Sequence, residues 1–210
     1  MNQQKSNEIL SILKDIIKDP KPELDFNNNY ELIVAVILSA QTTDKKVNIV
    51  TKELFKKYPN YNSLASADIN DVISIIKPLG LANNKANNII NMSKMVNEKY
   101  NSILPNTLTE LTSLPGVGRK TASVVLALGF NIPAFPVDTH LHRMAKRFGY
   151  INENGDVIKA EEEYKKYIKE DEWILAHHLF LLFGRYHCKA IKPECDSCKL
   201  KKYCKNSTLK

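Results

Sequence analysis

Three stretches of this 210-residue chain place reactive side chains at spacings that could do chemistry. The first is Leu114-Pro115-Gly116-Val117-Gly118-Arg119-Lys120-Thr121-Ala122, a G-x-G turn between two short segments of helical periodicity. Such a turn asks for positive φ and leaves no room for a Cβ, which only glycine tolerates. The backbone N–H groups of Gly116, Val117 and Gly118 can then point at a phosphate, helped by the positive end of a helix opening near Gly118. Contacts of this kind hold a nucleic-acid backbone without reading its sequence. The plain alternative is a simple helix–helix turn. Lys120 follows in the first turn of the next helix, beside Arg119. At an ordinary pKa near 10.4, about four lysines in ten thousand are neutral at pH 7. A helix N-terminus, an adjacent cation and partial burial all disfavour the ammonium. That placement suits an amine that attacks carbon and forms a Schiff base. It suits a phosphate-contacting lysine equally well.

The second stretch is Pro136-Val137-Asp138-Thr139-His140, at the start of another helical segment. A carboxylate there is ordinarily an N-cap. It could instead stabilise a sugar cation or move a proton. His140 could contact DNA or complete the cap, and neither residue alone decides.

The third is the tail, where Cys188, Cys195, Cys198 and Cys204 stand as C-x6-C-x2-C-x5-C. Disulfides do not suit a reducing compartment. Four thiolates can hold Zn²⁺ tetrahedrally, but zinc ribbons usually carry two C-x2-C knuckles and this tail has one. Uneven loops favour the other four-thiolate group, a [4Fe–4S] cluster. Lys189, Lys192, Lys199, Lys201 and Lys202 lie around these ligands, with Glu194 among them. They either balance an anionic cluster or meet DNA phosphates.

The elements that must position these residues read as helices throughout. Apolar residues recur at helical spacing in Asn7–Lys18, Tyr30–Leu38, Thr43–Lys57, Asp71–Ile76, Asn83–Tyr100, Leu108–Leu114, Arg119–Phe130, Asp138–Phe148, Asp156–Ile168 and Glu172–Tyr186. The fold class is all-α. The prolines of Asn131-Ile132-Pro133-Ala134-Phe135-Pro136 mark a domain boundary. Trp173 is expected in the core, and His177-His178 split between core and surface. No apolar run approaches the ~18 residues of a membrane span, and the opening residues lack a secretory pattern. The expected compartment is therefore the cytoplasm. Thirty Lys and Arg against 23 Asp and Glu give +7, a balance suited to polyanions.

Taken in order, the helix-hairpin-helix Leu114–Ala122, Val137-Asp138-Thr139-His140 and the cysteine tail resemble the endonuclease III family of the helix-hairpin-helix DNA glycosylase superfamily. Leu38-Ser39-Ala40-Gln41-Thr42-Thr43-Asp44 and Leu79-Gly80-Leu81 followed by Lys85 extend the likeness over nearly the whole chain. The resemblance implies a six-helix domain over residues 22–132 and a cluster domain of residues 1–21 and 133–210, with a DNA cleft between them. It implies a [4Fe–4S] cluster that takes no part in strand cleavage. It further implies a monomer, associated with the nucleoid through DNA, acting on duplexes with oxidised pyrimidines or abasic sites. Lys120 matches the nucleophile and Asp138 the catalytic aspartate. Gln41 and Leu81 match residues that fill or wedge the base stack when a nucleotide is flipped out. Gly116, Val117, Gly118, Arg119, His140, Lys189 and Lys192 are the further expected DNA contacts. The loop holding Glu194 is less basic than the family pattern. The rival reading is a monofunctional mismatch, uracil or adenine glycosylase of the same fold. However, the related adenine enzymes carry a glutamate where this chain has Val36, and they lack the lysine. A non-catalytic DNA-binding or metalloregulatory protein would leave Lys120 and Asp138 without a task.

Overall fold

A computed structural model describes residues 1–205 of the chain. Among these, eleven α-helices and three short 3-10 turns account for the regular structure, and there is no strand. The chain divides into two compact units, Pro22–Ile132 and Met1–Lys21 with the chain from Pro133 onward.

The first unit holds α2 (Asn29–Leu38), α3 (Asp44–Lys57), α4 (Tyr61–Ala65), α5 (Ile69–Ile76), α6 (Ala82–Tyr100), α7 (Leu108–Ser113) and α8 (Arg119–Phe130). Helix α2 is its axis. It is buried from Leu32 through Leu38 and packs against α3, α6 and α8. A helix apolar on every side must sit inside a core. Its start is fixed by Asn28, whose side chain accepts from the Glu31 N–H. Thr43 and Thr107 cap α3 and α7 in the same way, each cap satisfying a donor that the first helical turn leaves open.

The second unit contains α1 (Gln3–Ile16), α9 (Thr139–Phe148), α10 (Val157–Tyr167) and α11 (Trp173–Tyr186). Its core joins Ile9, Leu10 and Leu13 of α1 to Phe135, Leu141, Met144, Phe148, Tyr164, Leu179, Phe180 and Leu200. The Phe135 and Tyr164 rings stack at 4.9 Å. Cys188, Cys198 and Cys204 pack along the edge of this cluster.

Helix α1 begins four residues earlier than its apolar stripe, because Asn2 caps it through the Lys5 N–H ahead of a polar first turn. Helix α4 is absent from the periodicity, being one short turn set by a capping box between Asn60 and Ser63. His177 and His178 are both buried, correcting the expected split. His178 Nδ1 lies 2.8 Å from the Ile174 carbonyl, and burial pushes its pKa down. Trp173 is partly buried against the core and donates to the Ile168 carbonyl. No helix among the described residues is long and apolar enough to cross a membrane.

Candidate active site

In the first unit, the glycine turn links α7 to α8. Leu114 accepts from the Val117 N–H at 3.1 Å, with Pro115 and Gly116 at the two central positions and Gly116 at φ +77°. That is the geometry of a type II turn. A Cβ on Gly116 would stand 2.7 Å from Asn88 Cβ, so conformation and space both require glycine there. Gly118 differs from expectation. Its backbone is extended at φ −85°, and a Cβ would meet nothing within 4 Å. Nothing inside the chain demands glycine at 118.

Val117 also departs from expectation. Its side chain is buried, 5% exposed, and its N–H is consumed by the turn. It cannot offer a donor outward. Among the described residues, the N–H groups of Gly116 and Gly118 donate to no backbone carbonyl, so the turn leaves these two donors open. Gly118 is the N-cap of α8, and no side chain caps that end. The helix therefore presents uncapped first-turn N–H groups and the positive end of its dipole. Arg119 and Lys120 occupy that first turn and are exposed. The partial burial expected around Lys120 is not found among the described residues.

Five non-glycine residues of this unit hold positive φ, Asn101, Ser102 and Asn131 at helix ends and the two residues expected to meet the base stack. Gln41, exposed just beyond α2, has φ +57°. Leu81, immediately before α6, has φ +52° and is 53% exposed. Left-handed backbone in residues other than glycine costs of order 1–3 kcal/mol and gathers at functional sites.

In the second unit, Asp138 is the N-cap of α9. Its Oδ1 accepts from the His140 and Leu141 N–H groups, both at 2.9 Å. The ordinary explanation for this carboxylate therefore holds, yet both bonds fall on one oxygen. Oδ2 makes no hydrogen bond among the described residues, and Asp138 is half-buried. His140 Nδ1 lies 3.3 Å from Arg143 Nη2. Guanidinium only donates, so Nδ1 accepts and the ring's proton sits on Nε2.

Arg143 and Arg147, one turn apart on α9, were not singled out from sequence. Arg143 donates from Nε and Nη2 to the Cys188 carbonyl at 3.1 and 2.9 Å, and from Nη2 to the Gly184 carbonyl at 2.7 Å. Arg147 Nη1 reaches Cys188 Sγ at 3.0 Å and the Lys189 carbonyl at 2.9 Å. Burial, then the neighbouring Arg147, lowers the Arg143 pKa, with Cys188 and Asp138 opposing. The helix that begins at Asp138 thus grips the first cysteine of the tail. An i, i+4 pair of arginines was visible on this helix, but partners more than forty positions later were not.

All four cysteines line one cavity of about 570 Å³, together with Arg147, Phe148, Phe183 and His187. Among the described residues, no three His, Cys, Asp or Glu side chains form a ready single-ion group. Burial pushes the Cys198 thiol up against a backbone hydrogen bond from Leu200, and Cys188, Cys195 and Cys204 push it further. In the same loop, Lys189 is not the open cation expected of a phosphate contact. Glu194 binds it at 3.1 Å and also meets His187 Nδ1 at 3.3 Å. Those two bonds hold the Glu194 carboxyl below its usual range. Lys192 is exposed, at φ +50°.

Capped helices around a glycine hairpin whose N–H groups stay open make an all-helical scaffold suited to holding a phosphate. The profile of the HhH-GPD superfamily base excision DNA repair protein matches residues 34–170. Endonuclease III of Rickettsia felis (strain ATCC VR-1525 / URRWXCal2) is 45% identical over 204 residues, covering 97% of this chain and 95% of the relative. Two solved structures superpose with a TM-score of 0.94 at 41% identity, covering 98% of this chain and 96% of theirs. One is a non-covalent endonuclease III–DNA complex and the other a trapped endonuclease III–DNA covalent intermediate. The chain belongs to the HhH-GPD superfamily and, within it, to the endonuclease III family.

Proposed function

We propose that this protein is a bifunctional base excision repair enzyme that removes oxidised pyrimidines from duplex DNA and cleaves the abasic strand. The observation that carries the reading is Lys120, exposed in the uncapped first turn of α8 immediately after the glycine hairpin. A covalent DNA intermediate trapped in a 41% identical relative supports it.

The neutral Lys120 amine attacks C1′ of the flipped nucleotide, and the glycosidic C–N bond breaks as the base leaves with a proton. Opening of the C1′–O4′ bond gives the Schiff base. The imine acidifies the C2′ proton. Its removal expels the phosphate from C3′, cutting the strand on the 3′ side. Asp138, through the oxygen left over from its cap, assists base departure and proton movement. Gly116 and Gly118 hold a phosphate through their N–H groups, with Arg119 adding charge. His140 donates to DNA from Nε2–H, and Lys192 supplies a second cationic contact. Gln41 and Leu81 occupy the stack that the extruded nucleotide vacates.

Cys188, Cys195, Cys198 and Cys204 fit a [4Fe–4S] cluster. They line one cavity, and Arg147 already offers an N–H to a prospective ligand sulfur, the kind of contact that tunes such sites. When bound, the cluster ties the C-terminal loop together at four points. The deciding experiment is borohydride trapping on abasic duplex DNA. The wild type should crosslink and Lys120→Ala should not, while both bind the duplex. Base release without strand breakage by the wild type would instead make it a monofunctional glycosylase.

A further inference from the structure

Lys85 is a charged residue in an apolar setting. It lies in the first turn of α6 with only 4% of its surface exposed. Among the described residues no carboxylate pairs with it. Its ammonium donates to one group, the Leu79 carbonyl, at 3.0 Å, while its backbone N–H donates to the Leu81 carbonyl, also at 3.0 Å. Burying a cation without a counter-charge costs stability, and accordingly burial lowers the Lys85 pKa. An apolar side chain of the same length would fill the space without that penalty. What it could not do is hold the Leu79 carbonyl.

Two of the three residues spanned by these two bonds, Gly80 and Leu81, hold positive φ. Leu79 is buried. Gly80 has φ +70° and ψ 161°, a region essentially open only to glycine. Leu81 has φ +52° and ψ 32° and projects into solvent. The chain goes from a core leucine to an exposed leucine within two residues, held at the Leu79 end by the Lys85 side chain and at the Leu81 end by the first backbone bond of α6. We propose that Lys85 is a positioning residue for nucleotide extrusion, holding the Leu79–Leu81 turn so that Leu81 is presented rigidly to the base stack. This inference rests on the reading of Leu81 as the wedge.

The test uses the holoenzyme and four variants: Lys85→Met, Lys85→Arg, Leu81→Ala and the Lys85→Met/Leu81→Ala double. Extrusion is read from the fluorescence of a 2-aminopurine beside an abasic analogue in duplex DNA. Turnover is read on a thymine glycol duplex and on a single-stranded abasic oligonucleotide, which needs no opening. Lys85→Met should reduce extrusion and duplex turnover about tenfold, leaving single-strand cleavage within about twofold of wild type. Lys85→Arg, which keeps a cationic donor, should retain most of the extrusion. The double variant should be no worse than Leu81→Ala alone, because the lysine acts through the leucine. Equal losses on both substrates, or additive losses in the double, would overturn the positioning role. Full extrusion by Leu81→Ala would sink the wedge reading itself, and the proposal with it. If Lys85→Met does not fold, Gly80→Ala disturbs the same turn with the lysine in place. A folded Gly80→Ala protein that extrudes normally would overturn the proposal equally.

Discussion

Asp138 divides two tasks between two oxygens. Oδ1 satisfies the N–H groups of His140 and Leu141, and the proposed chemistry needs a negative charge on the carboxylate. The tasks separate by substitution. Asparagine is as good an N-cap as aspartate, whereas alanine forfeits about 1 kcal/mol. Asp138→Asn should therefore keep the thermal midpoint of wild type and lose base removal by at least about tenfold. Asp138→Ala should lose both. Calorimetry beside single-turnover cleavage distinguishes the cases, and an Asp138→Asn protein with full activity would leave the residue a cap only. Glycines 116 and 118 separate in a parallel way. Gly116→Ala meets a positive φ and Asn88 and should cost about 1–3 kcal/mol of stability. Gly118→Ser meets neither and installs a preferred N-cap, so stability should hold or rise. Duplex affinity should nevertheless fall, because the new side chain stands where a phosphate must approach. Binding unaffected by Gly118→Ser would remove the hairpin from the DNA interface.

Among the elements, the junction of α2, α3 and α4 is held by tyrosines. Tyr30 donates its hydroxyl to the Tyr58 carbonyl and packs edge-on against Tyr61 at 4.9 Å. Tyr58 donates to Asp71 at the start of α5. Burial first, then the hydrogen bond to Asp71, raises the Tyr58 pKa to about 12; burial raises Tyr30 and Tyr61 as well. A group whose folded pKa lies above its unfolded value contributes stability below the unfolded pKa and loses it as pH climbs through the folded one. Stability should thus be level up to the ordinary tyrosine pKa near 10 and fall between about pH 10 and 12. Tyrosinate absorbance and circular dichroism should change together; phenol ionisation well before loss of helix would contradict the linkage. Within the same junction, the Tyr61 hydroxyl is buried and has no hydrogen-bond partner among the described residues. Tyr61→Phe should accordingly be neutral or stabilising. How far the elements could be read in advance follows from the same physics. Helix α8 was legible to its last residue because a glycine cap and an apolar face mark it. Helix α4 was not, since five residues are too few to establish a period. The glycine hairpin, Asp138 and the cysteines were legible because their chemistry is local in sequence. The buried Lys85, the Arg143–Cys188 bonds and the capture of Lys189 by Glu194 depend on burial or on tertiary partners, which periodicity does not encode.

At the scale of the whole molecule, the chain leaves the second unit after α1 and returns to it beyond Ile132. Leu13, fully buried in that unit's core, should cost about 2–5 kcal/mol as Leu13→Ala. The damage should appear in the unit that carries the cysteines, as faster loss of the visible absorbance that the proposed cluster would give. The net charge of +7 bears on binding as much as on solubility. Each phosphate neutralised by a cation releases counterions and steepens the log–log salt dependence of affinity by about 0.9. Lys192 is exposed, but Lys189 is held by Glu194, so the two lysines should not count alike. Lys192→Ala should flatten the slope by about one and Lys189→Ala by clearly less. Glu194→Gln releases Lys189 and removes an anion from the loop, so it should tighten duplex binding and steepen the slope. Fluorescence anisotropy of a labelled abasic duplex between about 50 and 200 mM salt gives that slope. A slope indifferent to Glu194→Gln would mean that this loop does not meet the phosphates, and that affinity comes from the hairpin's N–H groups and Arg119.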